Sequence, residues 1–383
     1  MILHLFHDEK FTAGIIDFFE KLYPKANNYV VITSAKGRLK YPDPLCRVQV
    51  VCYKSNSFKQ LLASVADYDA IFLHYLDKFK AELINSSPNY DRFVWMIWGG
   101  DAYKLFDIKL HDEETEIVNR KSQEPFWLFK GLKNTALGDK LFGKSSTNHD
   151  RLIFDAIRKI RYCTTILPCE YDLFKANLPL SAIYIPFSYG LKEFNQKGRQ
   201  HADTNERINI LVGNSGYPSN NHMTALRLLS RLELGKRKVI VPLSYGPNRY
   251  IEEVIKGGKQ ILLHAFAPIT EFLSFDEYYK LVSGCSVCIM NHYRQQGMGN
   301  IIILLWLGAR LYMRSENIAF QYLIENGAIV FPIDGDEISL DPLTEDQKEQ
   351  NRSVMERLYN HDLIIEKARN LIKIVTSGSN PIN

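Results

Sequence analysis

The chain of 383 residues has few cysteines, little net charge and no long apolar run, and each lack removes a class of protein. Six cysteines (Cys46, Cys52, Cys163, Cys169, Cys285 and Cys288) lie mostly in apolar, strand-like runs. Reduced thiols sit this way, and a disulfide framework is not expected. Cys285 and Cys288 form a C-x-x-C, but no second pair stands at zinc-site spacing, so they read as part of a buried strand. A formal charge of +4, from 47 basic and 43 acidic residues, is too small for a nucleic-acid binder without a local patch, and no nucleic-acid partner is expected. The most apolar run, residues 301–313, is shorter than the ~18 residues a membrane span needs and contains Arg310. The start, Met1 to Asp8, has no basic segment and no small-residue cleavage site; it reads as a first strand, and a cytoplasmic protein is expected. No G-x-G-x-x-G occurs, which disfavours a dehydrogenase.

What is present is a repeated alternation. The 46% hydrophobic and 23% charged composition is that of a globular chain long enough for two domains. Short β-branched or aromatic runs at 2–6, 29–33, 48–53, 70–76, 93–98, 162–167 and 183–186 are separated by stretches of helical period. The polar, aperiodic stretch 192–207 reads as a linker. Beyond it the alternation resumes, with strands expected at 208–212, 239–243, 261–266, 287–291, 311–313 and 328–331, then a charged helical tail over 344–374. The expected fold is α/β, with two Rossmann-like doubly wound domains, 1–200 and 208–383, facing a cleft: the GT-B layout. Some epimerases, phosphorylases and binding proteins share it, so fold alone does not give function.

Two loops of the second half carry candidate chemistry. The strand at 208–212 runs into Gly213-Asn214-Ser215-Gly216 and then Ser219-Asn220-Asn221-His222, a small polar turn that lets backbone N–H groups approach an anion. Either it is a plain strand-to-helix turn with Asn220 or Asn221 as cap, or Gly213, Asn214 and Ser215 touch a phosphate or acceptor. Between a strand and an apolar helix lie Arg294, Gln295, Gln296, Gly297 and Gly299. A guanidinium and a helix N-terminus both suit a diphosphate, whose charge grows as a glycosidic bond breaks. Tyr245 is placed to stack on a base or sugar, and Asn248 to cap the following helix. Glu316 either accepts from ribose or sugar hydroxyls or only stabilises a helix dipole. Asp334-Gly335-Asp336 spells a D-x-D but reads as a solvated turn, so no metal and no other cofactor is expected.

In the first half, Asp101 ends the apolar run 93–98 and two glycines, and is a candidate general base or a helix cap. His74 is the rival base or a structural strand histidine. Residues 120–161 hold ten basic and four acidic side chains interleaved with Phe126, Trp127 and Phe129, which reads as an anionic-membrane contact or as a solvated helical face.

Taken in order, M-I-W-G-G-D-A-Y, I-L-V-G-N-S-G with S-N-N-H, Y-G-P-N-R-Y-I-E-E-V, F-D-E-Y and R-Q-Q-G-M-G resemble the segments of the bacterial TDP-Fuc4NAc:lipid-linked-disaccharide transferases of enterobacterial common antigen synthesis. The resemblance runs from about residue 70 to residue 325. It implies a metal-independent GT-B hexosyltransferase with a nucleotide-diphospho-sugar donor, TDP-linked by preference, held mainly by the second domain. It also implies an undecaprenyl-diphosphate-linked saccharide acceptor reached at the inner face of the plasma membrane. It bears on Gly213, Asn214, Ser215, Tyr245, Asn248, Arg294, Gln295, Gln296, Gly297 and Gly299 as donor contacts, with His74, Asp101 and Glu316 on matching residue types. The family's W-G-A-D reads Trp98-Gly99-Gly100-Asp101 here. The other readings are a GT-B-shaped nucleotide-sugar epimerase and a non-catalytic nucleotide-sugar-binding subunit.

Overall fold

A computed structural model describes residues 1–34, 39–88, 91–122, 145–189, 207–335 and 338–377. The chain divides into two units: Met1–Ile108, Gly143–Gly190 and Asp362–Asn383 form one, Lys109–Phe142 and Leu191–His361 the other.

The first unit follows the alternation expected of it. Its strands are β1 (Ile2–Phe6), β2 (Asn27–Thr33), β3 (Val48–Cys52), β4 (Ala70–His74), β5 (Phe93–Met96), β6 (Tyr162–Thr164) and β7 (Ile183–Tyr184). All pair in parallel, in the order β3-β2-β1-β4-β5-β6-β7. The helices are α1 (Thr12–Leu22), α2 (Asn56–Ser64) and α3 (Lys78–Ser86), then, with α4 (Glu113–Ser122) belonging to the other unit, α5 (Ser145–Lys159) and α6 (Glu170–Asn177). Because side chains alternate along a strand, Leu3, Leu5, Ile71, Leu73 and Trp95 fill one face of the sheet while Ile2, Phe6, Phe72, Val94 and Met96 fill the other. His4 and His74 fall on the second face by the same parity, fully buried. Two caps start helices here: Ser55 accepts from the Phe58 N–H, and Asp77 from the N–H groups of Phe79 and Lys80.

The second unit contains α4 (Glu113–Ser122), the strands β8 (Asn209–Val212), β9 (Val239–Pro242), β10 (Phe266–Ile269), β11 (Cys285–Met290), β12 (Arg310–Met313) and β13 (Phe331–Pro332), and the helices α7 (His222–Leu229), α8 (Asn248–Leu262), α9 (Phe275–Ser283), α10 (Met298–Trp306), α11 (Ile318–Glu325) and α12 (Glu345–Tyr359). Its parallel sheet runs β10-β9-β8-β11-β12-β13. Helix α10 is apolar on every side, and seven of its nine residues are buried, as such a helix must be to leave water. The last strand is shorter than the expected 328–331, because Pro332 lacks a ladder donor and fits only an edge.

The division departs from a cut near residue 200 in two places, each for an apolar reason. Val118 of α4 is buried among Ile210, Leu226 and Val254, so a segment from the first half of the sequence is core of the second unit. The helical tail is two helices, α12 and α13 (His361–Ser377). Along the second, Ile364, Ala368, Leu371, Ile372 and Val375 form a helical stripe that packs on Ile2, Phe6 and Phe19 of the first unit. The expected linker lies almost wholly outside the described residues, as does most of the basic segment after Ser122. Among the described residues no helix is long and apolar enough to cross a membrane.

Candidate functional site

Open parallel sheets bind ligands beyond the carboxyl ends of the strands, where the strand order reverses. In the second sheet that point lies between β8 and β11, and the two loops singled out in the sequence follow these two strands.

One buried asparagine ties the loops together. Asn220 is 0% exposed; its Oδ1 accepts from the Asn214 N–H at 2.8 Å and from His292 Nε2 at 2.9 Å, and its Nδ2 donates to Ser215 Oγ at 3.1 Å and to the Tyr217 carbonyl at 2.9 Å. Since the Asn214 N–H fixes Oδ1 as the acceptor, His292 carries its proton on Nε2 and is neutral. Burial, joined by the nearby Arg294 charge, lowers its pKa to about 3. Asn221, in the left-handed region at φ 49°, donates to the carbonyls of Asn291 (2.9 Å), Leu110 and Ser219 and accepts from the Asp112 N–H (2.9 Å). It occupies the N-cap position of α7 without a side-chain cap bond, so the expected capping role is replaced by fastening the β8 and β11 loops and the 110–112 segment. Asn317 donates to the carbonyls of His292 and Arg294, both at 2.8 Å, and caps α11 through the Ala319 N–H.

On this frame most of the expected donor residues meet. Gln296 Nε2 donates to Asn214 Oδ1 at 3.0 Å, Ser219 Oγ donates to Gln296 Oε1 at 2.7 Å, and Tyr245 OH donates to the Asn214 carbonyl at 3.2 Å. Gly213 has φ +70°, and a Cβ there would lie 2.6 Å from Asn220 Oδ1; Gly297 has φ +71° with Asn214 Cγ at 3.2 Å. Gly297 stands at the N-cap of α10 with no side-chain cap, whereas α9 and α12 carry full capping boxes from Ser274 with Glu277 and Thr344 with Gln347. Arg294 is half-buried beside this terminus, its Nη1 donating to the Gln295 carbonyl, and Gln295 is buried. Gly299 is in the first turn of α10, and Asn300 of that turn donates to Tyr278 OH at 2.7 Å. Glu316 is exposed ahead of α11. Asn248 corrects its expectation: Pro247 holds the N-cap position of α8, and Asn248 is the exposed first helical residue, lining a hollow of 310 Å³ with Asn119, Ser122 and Tyr250.

Asn220, His292 and Asn317 were missed as site organisers. The sequence carried a signal for His292 alone, the polar pair Asn291-His292 directly after the apolar strand β11, and it has meaning only once the neighbouring loop is known. Behind them, Arg314 lies 4.0 Å over the Tyr293 ring and pairs with Asp112 Oδ2 at 3.2 Å, with both side chains mostly buried. Asp336 of the D-x-D lies outside the described residues.

In the first unit the structure gives both expected bases other work. Asp101 is 0% exposed; Oδ2 accepts from the Leu76 N–H (2.8 Å) and Trp95 Nε1 (2.7 Å), and Oδ1 from the Trp98 N–H (3.1 Å). Burial raises its pKa despite these donors. It binds the loops after β4 and β5 instead of facing a substrate, and it is not the N-cap of the following turn, a position held by Ala102. His74 is also 0% exposed, with His4 Nδ1 3.0 Å from its Nε2 and Tyr189 OH 2.5 Å from its Nδ1. Asn27 spends its Nδ2 on Phe19, Glu20 and Tyr23 and offers Oδ1 to His4 Nε2 at 3.2 Å. Protons are therefore ordered along the chain: His4 donates to Asn27, His74 to His4, and Tyr189 to His74. Both rings are neutral, with the His4 pKa lowered by burial to about 3 and that of His74 well below its usual value.

In the described part of the basic segment, Arg158 pairs with Asp155 at 2.8 Å and Arg161 with Asp91 at 3.1 Å. The three buried cysteines, Cys163, Cys285 and Cys288, are free thiols whose pKa values burial raises, those of Cys163 and Cys285 to about 12.

Known proteins place this architecture. Sucrose-phosphate synthase from Thermosynechococcus elongatus matches with a TM-score of 0.63 at 14% identity, covering 99% of each chain. Anabaena HepE in complex with UDP-glucose matches with 0.62 at 12% identity, over 97% of this chain and 99% of that one. An Escherichia coli structure described as trehalose-6-phosphate bound with UDP-2-fluoro glucose matches with 0.59 at 10% identity, over 98% and 99%. At such identities the likeness is one of fold, two parallel-sheet α/β domains of the GT-B type. Residues 170–358 match the sequence model of one family, described as 4-alpha-L-fucosyltransferase, glycosyl transferase group 56. The chain has a GT-B fold and is a glycosyltransferase of the hexosyltransferase class, and its residues 170–358 match the family described as 4-alpha-L-fucosyltransferase, glycosyl transferase group 56.

Proposed function

We propose that the protein transfers a 4-acetamido-4,6-dideoxyhexose from a nucleotide diphosphate, TDP by preference, to an undecaprenyl-diphosphate-linked saccharide, working without metal as a peripheral protein at the inner face of the membrane. The observation that carries the reading is the convergence of Asn214, Gln296, Tyr245 and the uncapped N-terminus of α10 at the switch point of the second sheet. First-turn N–H groups have no partner inside their helix, and the helix dipole favours an anion there. A diphosphate seated on Gly297 to Gly299, with the Arg294 guanidinium beside it, gains negative charge as the C1–O bond breaks, and these groups stabilise that charge without a cation. In this reading Gly213 and Asn214 of the β8 loop and Tyr245 of the β9 loop are donor contacts, Ser215, 1% exposed, is held behind them by Asn220, and Glu316 is the acceptor for a ribose or sugar hydroxyl. Gln295 is buried at 4% exposure and is not open to a ligand.

The likeness to nucleotide-sugar structures supports a nucleotide-diphospho-sugar donor; the resemblance of motifs supports the 4-acetamido sugar and the lipid-linked acceptor. The test is thermal stability with TDP, UDP and GDP, each with and without magnesium, on the native protein and Arg294→Ala. Ligand at ~100 times its dissociation constant adds about 2.7 kcal/mol to the folded state. A magnesium-independent shift with TDP that Arg294→Ala loses is the expected result. A shift that requires magnesium, or one unchanged in Arg294→Ala, refutes the diphosphate assignment. Product analysis on donor alone separates transfer from epimerisation, which needs no acceptor.

A further inference from the structure

With Asp101 and His74 enclosed, neither is placed to take a proton from an acceptor hydroxyl, and the first sheet indicates another group that is. Its order reverses between β1 and β4, so residues directly after these strands border a ligand crevice. After β1 comes His7; after β4 comes Tyr75, whose φ of +71° is a costly conformation for a bulky aromatic. Such strain persists where neighbours fix it and clusters at functional sites. The Tyr75 hydroxyl donates to the Gly100 carbonyl at 3.3 Å and receives Lys104 Nζ at 3.2 Å. The His7 ring is 4.7 Å from that of Tyr75 and 5.8 Å from that of Trp98, and Phe11, 56% exposed, meets Trp98 edge-on at 6.1 Å. Rings with both a face and a polar tip suit a sugar, which is apolar on one side and hydroxylated at its rim.

His7 differs from His4 and His74 in being open and in facing a carboxylate. Its side chain is 29% exposed, and Nε2 lies 3.6 Å from Glu9 Oε2. The Glu9 carboxylate is itself held by the Lys10 N–H at 2.8 Å. Burial would raise the Glu9 pKa, but the nearby His7 ring and the bond from the Lys10 N–H outweigh it and leave it below its usual value. An ionised Glu9 keeps the His7 proton on Nε2, so the lone pair resides on Nδ1, a buried ring atom that has no hydrogen-bond partner among the described residues. A carboxylate fixing one nitrogen and freeing the other is the arrangement of an imidazole general base.

We propose that His7, oriented by Glu9, is the general base for the acceptor hydroxyl, at an acceptor-sugar site walled by Tyr75, Trp98 and Phe11. This rests on the reading of the chain as a transferase with a saccharide acceptor. The acceptor parts the rings around Nδ1; its O–H proton passes to that nitrogen as its oxygen forms a bond to C1 of the donor sugar. The C1–O bond to the diphosphate breaks, and its electron pair leaves with the diphosphate. The ionised Glu9 balances the charge of the imidazolium, which returns its proton to solvent after the product leaves. The other titratable groups around the ring are Lys10 on its own loop, His74 and Tyr75 on β4 and the residue after it, Asp77 at the start of α3, and Lys104 and Asp101 from the segment after β5. Lys10, whose pKa burial lowers to about 8, is the rival base.

The experiment measures initial rates with TDP-4-acetamido-4,6-dideoxygalactose and a short-chain polyprenyl-diphosphate disaccharide across pH, alongside the melting shift given by TDP. His7→Ala is expected to keep the TDP shift, to lose about 100-fold or more in kcat, and to recover part of it in millimolar imidazole. Glu9→Gln is expected to lose less and to move the acid limb of kcat/KM to lower pH, since the imidazolium loses its counter-charge; Lys10→Met leaves that limb in place. His7→Ala transferring at the native rate overturns the assignment, as does a loss that imidazole does not restore together with an unmoved limb in Glu9→Gln. Native protein that shifts with TDP yet transfers nothing to the acceptor overturns the transfer reading instead.

Discussion

Replacing Asn220 by Ala tests whether the β8 and β11 loops form one framework. The change removes four hydrogen bonds: those from the Asn214 N–H and His292, and those to Ser215 and Tyr217. The Ser215 hydroxyl can turn to another partner, but the Asn214 N–H and the neutral His292 Nε2–H lose their acceptor in a site with 0% exposure at Asn220. Leaving a buried donor unsatisfied costs about 1–3 kcal/mol, and two of them with the small void left by the amide amount to about 3 kcal/mol. For a domain of this size that lowers the melting temperature of the second unit by roughly 6–12 °C. Calorimetry resolves the transition, and TDP titration on the same variant reports the site, where binding should weaken at least tenfold because Asn214 and Gln296 are no longer fixed. A loss under ~0.5 kcal/mol, with TDP affinity unchanged, would refute the view that Asn220 holds the two loops.

Further outcomes follow from the same geometry. Gly246→Ala places a Cβ about 2.3 Å from the Gly216 carbonyl oxygen at φ +147°, so it should separate the β8 and β9 loops, lower the melting temperature by several degrees and weaken nucleotide binding. In the second unit, His222 and His292 have pKa values lowered by burial to about 3, against 6.5 in the unfolded chain. The unfolded state therefore binds more protons below pH 6.5, and the stabilisation present above that pH falls by roughly 2–3 kcal/mol per unit as the solution is acidified toward 3; urea titrations from pH 7 to 5 measure it. Leu371→Ala should destabilise the first unit by about 2–5 kcal/mol and leave the TDP-induced shift of the second intact, since its side chain is core of the first unit only. At pH 8 the folded protein should alkylate at exposed Cys46 well before Cys163, Cys285 or Cys288, read by mass spectrometry of labelled peptides; equal labelling would contradict their burial.

The sequence by itself determined the architecture, because strand and helix periods are local. The runs at 2–6, 70–76 and 93–98 became β1, β4 and β5 with little change, and the G-N-S-G and R-Q-Q-G-M-G loops were placed after strands by the same local pattern. It also determined two glycine positions, Gly213 and Gly297, whose left-handed backbones tolerate no Cβ of ordinary cost. Tertiary structure alone decided the rest. The strand order that makes β8 and β11 neighbours is a long-range property, so only the fold shows that Asn220 reaches across to His292, 72 residues on. The same applies to burial of polar groups: Asp101 and His74 have the chemistry of bases, but strand parity and the loops around them turn both inward, while His7, one residue past the end of β1, keeps its ring at the rim. Segment membership was also beyond local reading, since α4 and the residues from 362 onward carry amphipathic stripes whose matching surfaces lie far away in sequence. An apolar stripe states that a helix must be covered; only the assembled core states by what.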